Sequence, residues 1–177
     1  MSQILILYAT REGQTARIAA RVAQVLRDAG HDVESSRVDG ASRHPDVAAY
    51  AAVIIGASIH YGAHPRKLRN LLRCRRSDMA TRPTAFFSVS LSAGGPGAKP
   101  AAARRYLENF LRQTHWQPAL TASFAGALQY SKYGAFKRRL MRMIVGLAGG
   151  DTDMSRDYEY TDWAAVDRFA MDFAKRV

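Results

Sequence analysis

The 177 residues contain one cysteine, Cys74, so no disulfide can close within the chain and no cysteine-built metal cluster can form. Such sparing use of cysteine fits a reducing compartment. No stretch approaches the roughly 20 apolar residues of a spanning helix. Met1 runs almost directly into an apolar block, leaving no room for a signal peptide. The expectation is a cytoplasmic protein that does not cross a membrane. Two nucleotide signatures are also missing, the glycine-rich dinucleotide fingerprint and the P-loop lysine followed by Ser/Thr. Acids are scarce in the middle of the chain. Residues 47–150 carry sixteen Lys/Arg against Asp78 and Glu108, a charge of +14, while the two ends together carry −3. This separation predicts one basic face, attractive to polyanions, acidic ligands or anionic lipid.

What is present is a repeated alternation of strand and helix. Residues 4–8 (Ile-Leu-Ile-Leu-Tyr) form an apolar block without alternation, as in a strand buried on both faces. From Thr15 the period changes: Ile18, Val22, Val25, Leu26 and Ala29 share one helical face, and Gly30 ends the helix. Residues 32–37 read as a polar edge strand, 40–46 as a connection, and 51–56 as a central strand. Pro65 opens a helix at its first position, with Leu68, Leu71 and Leu72 inward and Cys74 an inert passenger. Residues 84–90 and 121–128 supply two further strands, with a helix from Pro100 between them. A last helix is capped by Thr161 and buries Trp163, Val166, Phe169, Ala170 and Phe173. With a 47% hydrophobic content, this predicts one domain over residues 1–177, an α/β doubly wound five-stranded parallel sheet.

In such folds ligands bind beyond the carboxyl ends of the strands, where the strand order switches. Three loops converge there. The first, Thr10, Arg11, Glu12, Gly13, Gln14 and Thr15, places two hydroxyls and a glycine at a helix N-terminus, which suits a phosphate. Either threonine can equally serve only as an N-cap. With no lysine in that loop, its hydroxyls and amides point to flavin mononucleotide (FMN). The second loop (Ser58, Ile59, His60, Tyr61 and Gly62) and the third (Ser90, Leu91 and Ser92) can flank a planar ring. His60 and Tyr61 are candidates for proton handling, and ring packing is an equal alternative.

About thirty residues, 130–160, separate the fifth strand from the last helix, where a short loop would suffice. Within them Phe136, Leu140, Met143, Ile144 and Leu147 form an apolar stripe, with Lys137, Arg138, Arg139 and Arg142 beside or opposite it. A basic amphipathic helix over residues 133–148 is expected to lie in a membrane interface or on a partner rather than in the core. Residues 158–160 then resume the interrupted edge strand.

Four motifs occur in order around this insertion: residues 10–15 (TREGQT), 55–62 (IGASIHYG), 126–130 (GALQY), and 149–153 (GGDTD) followed by 160–163 (YTDW). Together they resemble the menaquinone-dependent protoporphyrinogen IX dehydrogenases, a flavodoxin-like family, across essentially the whole chain. The resemblance implies a flavodoxin-like sheet with a basic helical insertion after or within the fifth strand. It also implies FMN, protoporphyrinogen IX as substrate, menaquinone or ubiquinone as acceptor, a place in haem biosynthesis, and peripheral attachment to the inner membrane. It assigns no metal and leaves the oligomeric state open. Rival readings are an NAD(P)H-dependent quinone reductase and a non-catalytic flavodoxin-type electron carrier. Nucleic-acid binding is disfavoured, since the basic helices lack interleaved aromatics and no nucleic-acid motif is present.

Overall fold

A computed structural model of the chain describes residues 1–39, 44–132, 134–147 and 149–177, with every side chain in these ranges except those of Lys137, Met141 and Ile144. Strands β1 (Gln3–Ala9), β2 (Asp32–Arg37), β3 (Ala52–Ser58), β4 (Thr84–Ser90) and β5 (Leu120–Ala125) form one parallel sheet in the order β2-β1-β3-β4-β5. The apolar blocks lack alternation because both faces are covered. In β1, Ile4 and Ile6 pack toward helices α1 (Gln14–Asp28) and α6 (Trp163–Ala174). Leu5 and Leu7 pack toward α2 (Arg66–Cys74) and α4 (Pro100–Thr114). Each such buried aliphatic side chain contributes about 1.5–3 kcal/mol. Gly56 of β3 lies across from Phe87 of β4, and a Cβ at Gly56 would stand 2.1 Å from the Phe87 ring. The ring occupies the space a side chain would need.

Local signals in the sequence shape the helices, with several shifts from expectation. At the end of α1, Gly30 N–H bonds Arg27 O and His31 N–H bonds Leu26 O, with Gly30 at φ +90. This is a Schellman stop. Ala29 is exposed, and Ala19 and Ala23 complete the buried stripe instead. Pro65 is the extended N-cap of α2 at ψ 130, one residue before the helix starts. The chain turns at Arg75 into a short helix α3 (Arg76–Ala80). The last helix is capped by Asp162, whose carboxylate accepts from Ala165 N–H. Thr161 is drawn away to donate to Ala125 O.

The chain moves from β1 outward to β2, then returns past β1 to β3, β4 and β5. The reversal therefore falls between β1 and β3, and their carboxyl ends, at Thr10 and Ser58, flank the crevice. The charge separation maps onto the layers. Arg66, Lys67, Arg69, Arg73, Arg76, Arg104, Arg105 and Arg112 all lie on the α2–α4 side of the sheet, against Asp78 and Glu108.

The insertion leaves after β5. Gly126 breaks the strand, and β6 (Ala127–Leu128) pairs antiparallel with β7 (Tyr158–Glu159) in a separate two-stranded ribbon. Residues 158–160 thus do not resume the parallel edge strand. The ribbon's antiparallel pairing follows from a chain that leaves and comes back at the same place. Between the two strands lie a 3-10 turn (Tyr130–Lys132) and helix α5 (Ala135–Leu147). Helix α5 is anchored through Val145, packed with Leu128, Tyr130, Met154 and Tyr158. Phe136, Met143 and Leu147 are 84, 57 and 83% exposed and Leu140 is 37% exposed, so this stripe is not part of the core. The contributions expected of Lys137 and Ile144, and the helix ends at Tyr133 and Ala148, lie outside the described residues. Among the described residues no helix is long and apolar enough to cross a membrane.

Candidate functional site

The turn from β1 into α1 is built on Gly13, which sits at φ +100 as the N-cap. Thr10 Oγ1 accepts from Gly13 N–H at 3.0 Å, closing the turn. Thr10 is therefore a turn-forming residue whose hydroxyl proton stays available, and neither threonine caps the helix by its side chain. Thr15, one residue into α1, is 1% exposed, and its hydroxyl oxygen has no hydrogen-bond partner. A buried hydroxyl without a partner is costly, and Thr15 borders a cavity in which a polar ligand could satisfy it.

That cavity, of about 370 Å³, is bounded by all three expected loops. Thr10, Arg11, Glu12, Gln14 and Thr15 form one side, Ser58, Ile59, His60 and Tyr61 the second, and Ser90 and Leu91 the third. Its size falls within the range of small-ligand sites. The Ser58 hydroxyl is likewise buried and unpartnered. Gly13, Gly62 and Ser92, three expected binding residues, do not line the cavity, and Gly13 serves as the N-cap of the turn behind it. Gly62 (φ +76) and Tyr61 (φ +48) are instead the tip of a two-residue turn closed by His60 and Ala63, which exchange backbone hydrogen bonds at 2.9 and 3.1 Å. Tyr61 is held in the left-handed region at 91% exposure, a conformation disfavoured for a tyrosine. Its ring stands at the mouth of the cavity, 6.4 Å from that of His60. Ser92 O accepts from Lys99 N–H and shapes the third loop.

Gln14 lines the cavity, but its side-chain amide is committed elsewhere. Nε2 donates to Glu159 Oε1 (3.2 Å) and Thr161 Oγ1 (2.9 Å). Arg17 adds an ion pair to Glu159 at 2.5 Å. Burial alone would raise the Glu159 carboxyl. Hydrogen bonds from Arg17, Gln14 and Trp163, with the Arg17 charge, outweigh it and hold the pKa below the usual carboxylate value.

Two groups of residues escape a reading of the sequence. Val89, Gly126 and Ala127 also line the cavity, and the rule that ligands gather beyond strand carboxyl ends could have included the loop after β5. A second cavity, of about 340 Å³, adjoins the first through Thr10, Arg11, Ser58 and His60, and adds Arg37, Asp39, His64 and Lys67. Arg37 donates to Thr10 O at 3.3 Å and Lys67 to Asp39 O at 2.9 Å, bonds that position two cations without neutralising them. His64 is buried between Phe86 and Phe110, its Nε2 2.9 Å from Ser88 Oγ. Burial pushes its pKa from 6.5 down to about 3, so it is neutral near pH 7. Hydroxyls and helix amides at one end and apolar, aromatic and backbone groups at the other suit a phosphate monoester joined to a planar ring.

Comparison with known proteins agrees with this fold. The sequence family described as the flavodoxin domain matches residues 5–155. A protein of Leishmania major named protoporphyrinogen IX dehydrogenase (quinone) is 40% identical over 171 residues, which cover 96% of this chain and 74% of that one. A protein of the same name from Escherichia coli K12 is 34% identical over 170 residues, covering 96% and 93%. Oxidised flavodoxin 1 from Bacillus cereus shares the fold at a TM-score of 0.62 and 16% identity, over 99% of both chains. A Fusobacterium nucleatum flavodoxin solved with flavin mononucleotide aligns at a TM-score of 0.50 and 12% identity, over 99% of this chain and 96% of the other.

Proposed function

The chain belongs to the protoporphyrinogen IX dehydrogenase (quinone) family of flavodoxin-domain oxidoreductases, and on that premise we propose that it oxidises protoporphyrinogen IX to protoporphyrin IX in haem biosynthesis, using FMN and a respiratory quinone. The observation that carries the cofactor is that Thr15 and Ser58, two residues lining one cavity at the strand switch, both have buried hydroxyls without a partner. The residues present fit FMN. Thr10, Thr15 and the first amides of α1 receive the phosphate, while Ser58, Ile59, His60, Ser90 and Leu91 border the ring, with Tyr61 at the mouth. When bound, FMN supplies the two-electron redox chemistry between porphyrinogen and quinone. The full oxidation removes six electrons in three such steps, and each step reduces one quinone to its quinol.

The chain's own residues orient the substrate. Protoporphyrinogen bears two propionates, and the adjoining cavity presents Arg11, Arg37 and Lys67 beside the ring site. Guanidinium groups can hold carboxylates bidentately. We assign these three cations to propionate binding. His60 and Tyr61 are the nearest candidates for proton handling, and their role at the cavity wall is positional whether or not they carry protons.

The quinone, menaquinone or ubiquinone, partitions into lipid. Helix α5 turns Phe136, Leu140, Met143 and Leu147 to solvent, with Arg139 and Arg142 also exposed. We assign this face to the anionic surface of the inner membrane, with the body of the protein in the cytoplasm. The decisive experiment is anaerobic turnover of protoporphyrinogen with a soluble quinone, followed by porphyrin fluorescence. Porphyrin formation that requires both FMN and quinone supports the proposal. Flavin reduction by NAD(P)H with no porphyrin formed would replace it with a quinone reductase, and no turnover at all would leave an electron carrier.

A further inference from the structure

We infer that Lys132, carried by the insertion, completes the phosphate site, so that the insertion clamps the cofactor and the two dock cooperatively. This rests on FMN being the cofactor. No lysine lies within the phosphate loop itself, yet the fold brings one there. Lys132 Nζ stands 3.9 Å from where a Cβ on Gly13 would be. Gly13 is the N-cap of α1, and Thr15, 1% exposed with an unpartnered hydroxyl, lies two residues on; Thr15 lines the ring-site cavity, while Gly13 and Lys132 stand beside it. A cation over the first turn of a helix whose amides lack intrahelical partners forms an anion site from three sources: ammonium, hydroxyl and amide.

The position of Lys132 is built in. Its N–H donates to Gln129 O at 3.1 Å. Neighbouring Ser131 donates to Asp157 through its N–H (2.8 Å) and its hydroxyl (2.5 Å), and Tyr130 OH donates to Asp151 O at 2.9 Å. The outgoing end of the insertion is thus held beside Gly13. Its returning end is held at the same turn of α1, because Glu159 of β7 takes hydrogen bonds from Gln14 and Arg17. Acids are present nearby and are engaged. Asp157 is lowered by the Ser131 hydrogen bonds and, in part, by the Lys132 charge, and Glu159 is matched by Arg17. Glu12 belongs to the same loop. A phosphate monoester adds negative charge beside Lys132 and the α1 amides, beyond that of the Asp157 carboxylate, which is already engaged by Ser131. If the phosphate favours the docked insertion, the docked insertion must favour the phosphate by the same factor.

The test compares FMN with riboflavin, which lacks the phosphate. Each is titrated by flavin fluorescence into the full-length wild type, K132Q and K132R. The expectation is that K132Q weakens FMN roughly tenfold, the scale of a charge-assisted contact, leaves riboflavin unchanged, and flattens the salt dependence of FMN binding. K132R should retain most of the affinity. FMN, and not riboflavin, should slow tryptic cleavage within α5 of the wild type, and K132Q should lose that protection. FMN affinity of K132Q within twofold of wild type overturns the inference, as does equal weakening of both flavins. Wild type that binds neither flavin overturns the cofactor reading, and this one with it.

Discussion

At the scale of single residues, burial decides the chemistry. Thr15 and Thr10 are the same residue type in the same loop, yet Thr10 spends its oxygen on Gly13 N–H while Thr15 keeps a buried oxygen without a partner. Thr15→Val should therefore weaken FMN by roughly 1–2 kcal/mol, the scale of a lost bond to a charged group. Riboflavin should bind as before, and fluorescence titration of both flavins checks the difference. His64 gives a pH prediction of defined sign. Folded, its pKa is about 3; unfolded it returns to 6.5. Below about 6.5 the unfolded chain takes a proton that the folded chain refuses. The stability is thus fully present above about 6.5 and falls as pH drops toward about 3, by up to about 1.4 kcal/mol per pH unit. Urea unfolding at pH 7, 6 and 5 should show a shallower decline for H64Q than for wild type. An identical slope would mean that other groups account for acid sensitivity.

At the scale of elements, α5 has the same apolar spacing as α1 and the opposite environment. Ile18, Val22 and Leu26 of α1 are fully buried, whereas among the described side chains of α5 Val145 packs on the body and Phe136 and Leu147 are exposed. Apolar residues at helical spacing give a helix an apolar face, and the spacing is silent on what covers that face. Arg138 is half-buried, so the cleaner charge reversal uses the exposed Arg139 and Arg142. R139E/R142E should lose binding to anionic liposomes, since each basic residue near such a surface contributes about 1 kcal/mol. Turnover with long-chain quinone should fall as well, with FMN affinity unchanged. Cosedimentation that matches wild type would show that α5 does not meet lipid.

At the scale of the molecule, charge follows the layers of the sheet. The α2–α4 side gathers eight of the basic residues, and Arg11, Arg37 and Lys67 line the cavity beside the ring site. Exposed cations are screened by salt. Raising ionic strength should therefore increase the KM for protoporphyrinogen more than it lowers kcat, measured at saturating FMN. A KM indifferent to salt would remove these cations from substrate binding.

Much of the fold was legible in the chain because its determinants are local. The unalternating blocks at residues 4–8 and 84–90, Gly30 after α1 and Pro100 at the first position of α4 act within a few residues, and they indicated five strands and the loops between them. The three loops of the site followed from one rule about strand ends. Neighbours distant in sequence were not legible. Nothing near Gly126 indicates that the chain peels away to pair with residues 158–159, or that Asp162 caps α6 because Thr161 is held by Ala125 O and Gln14. Lys132 lies 119 positions from Gly13 in the chain, and only the path of the insertion, fastened at Asp157 and Glu159, brings its charge to the phosphate turn. Periodicity and capping act along the chain, while charge and hydrogen bonding act through space, so the sheet could be read from sequence and the approach of Lys132 to Gly13, on which the proposed anion site rests, required the tertiary structure.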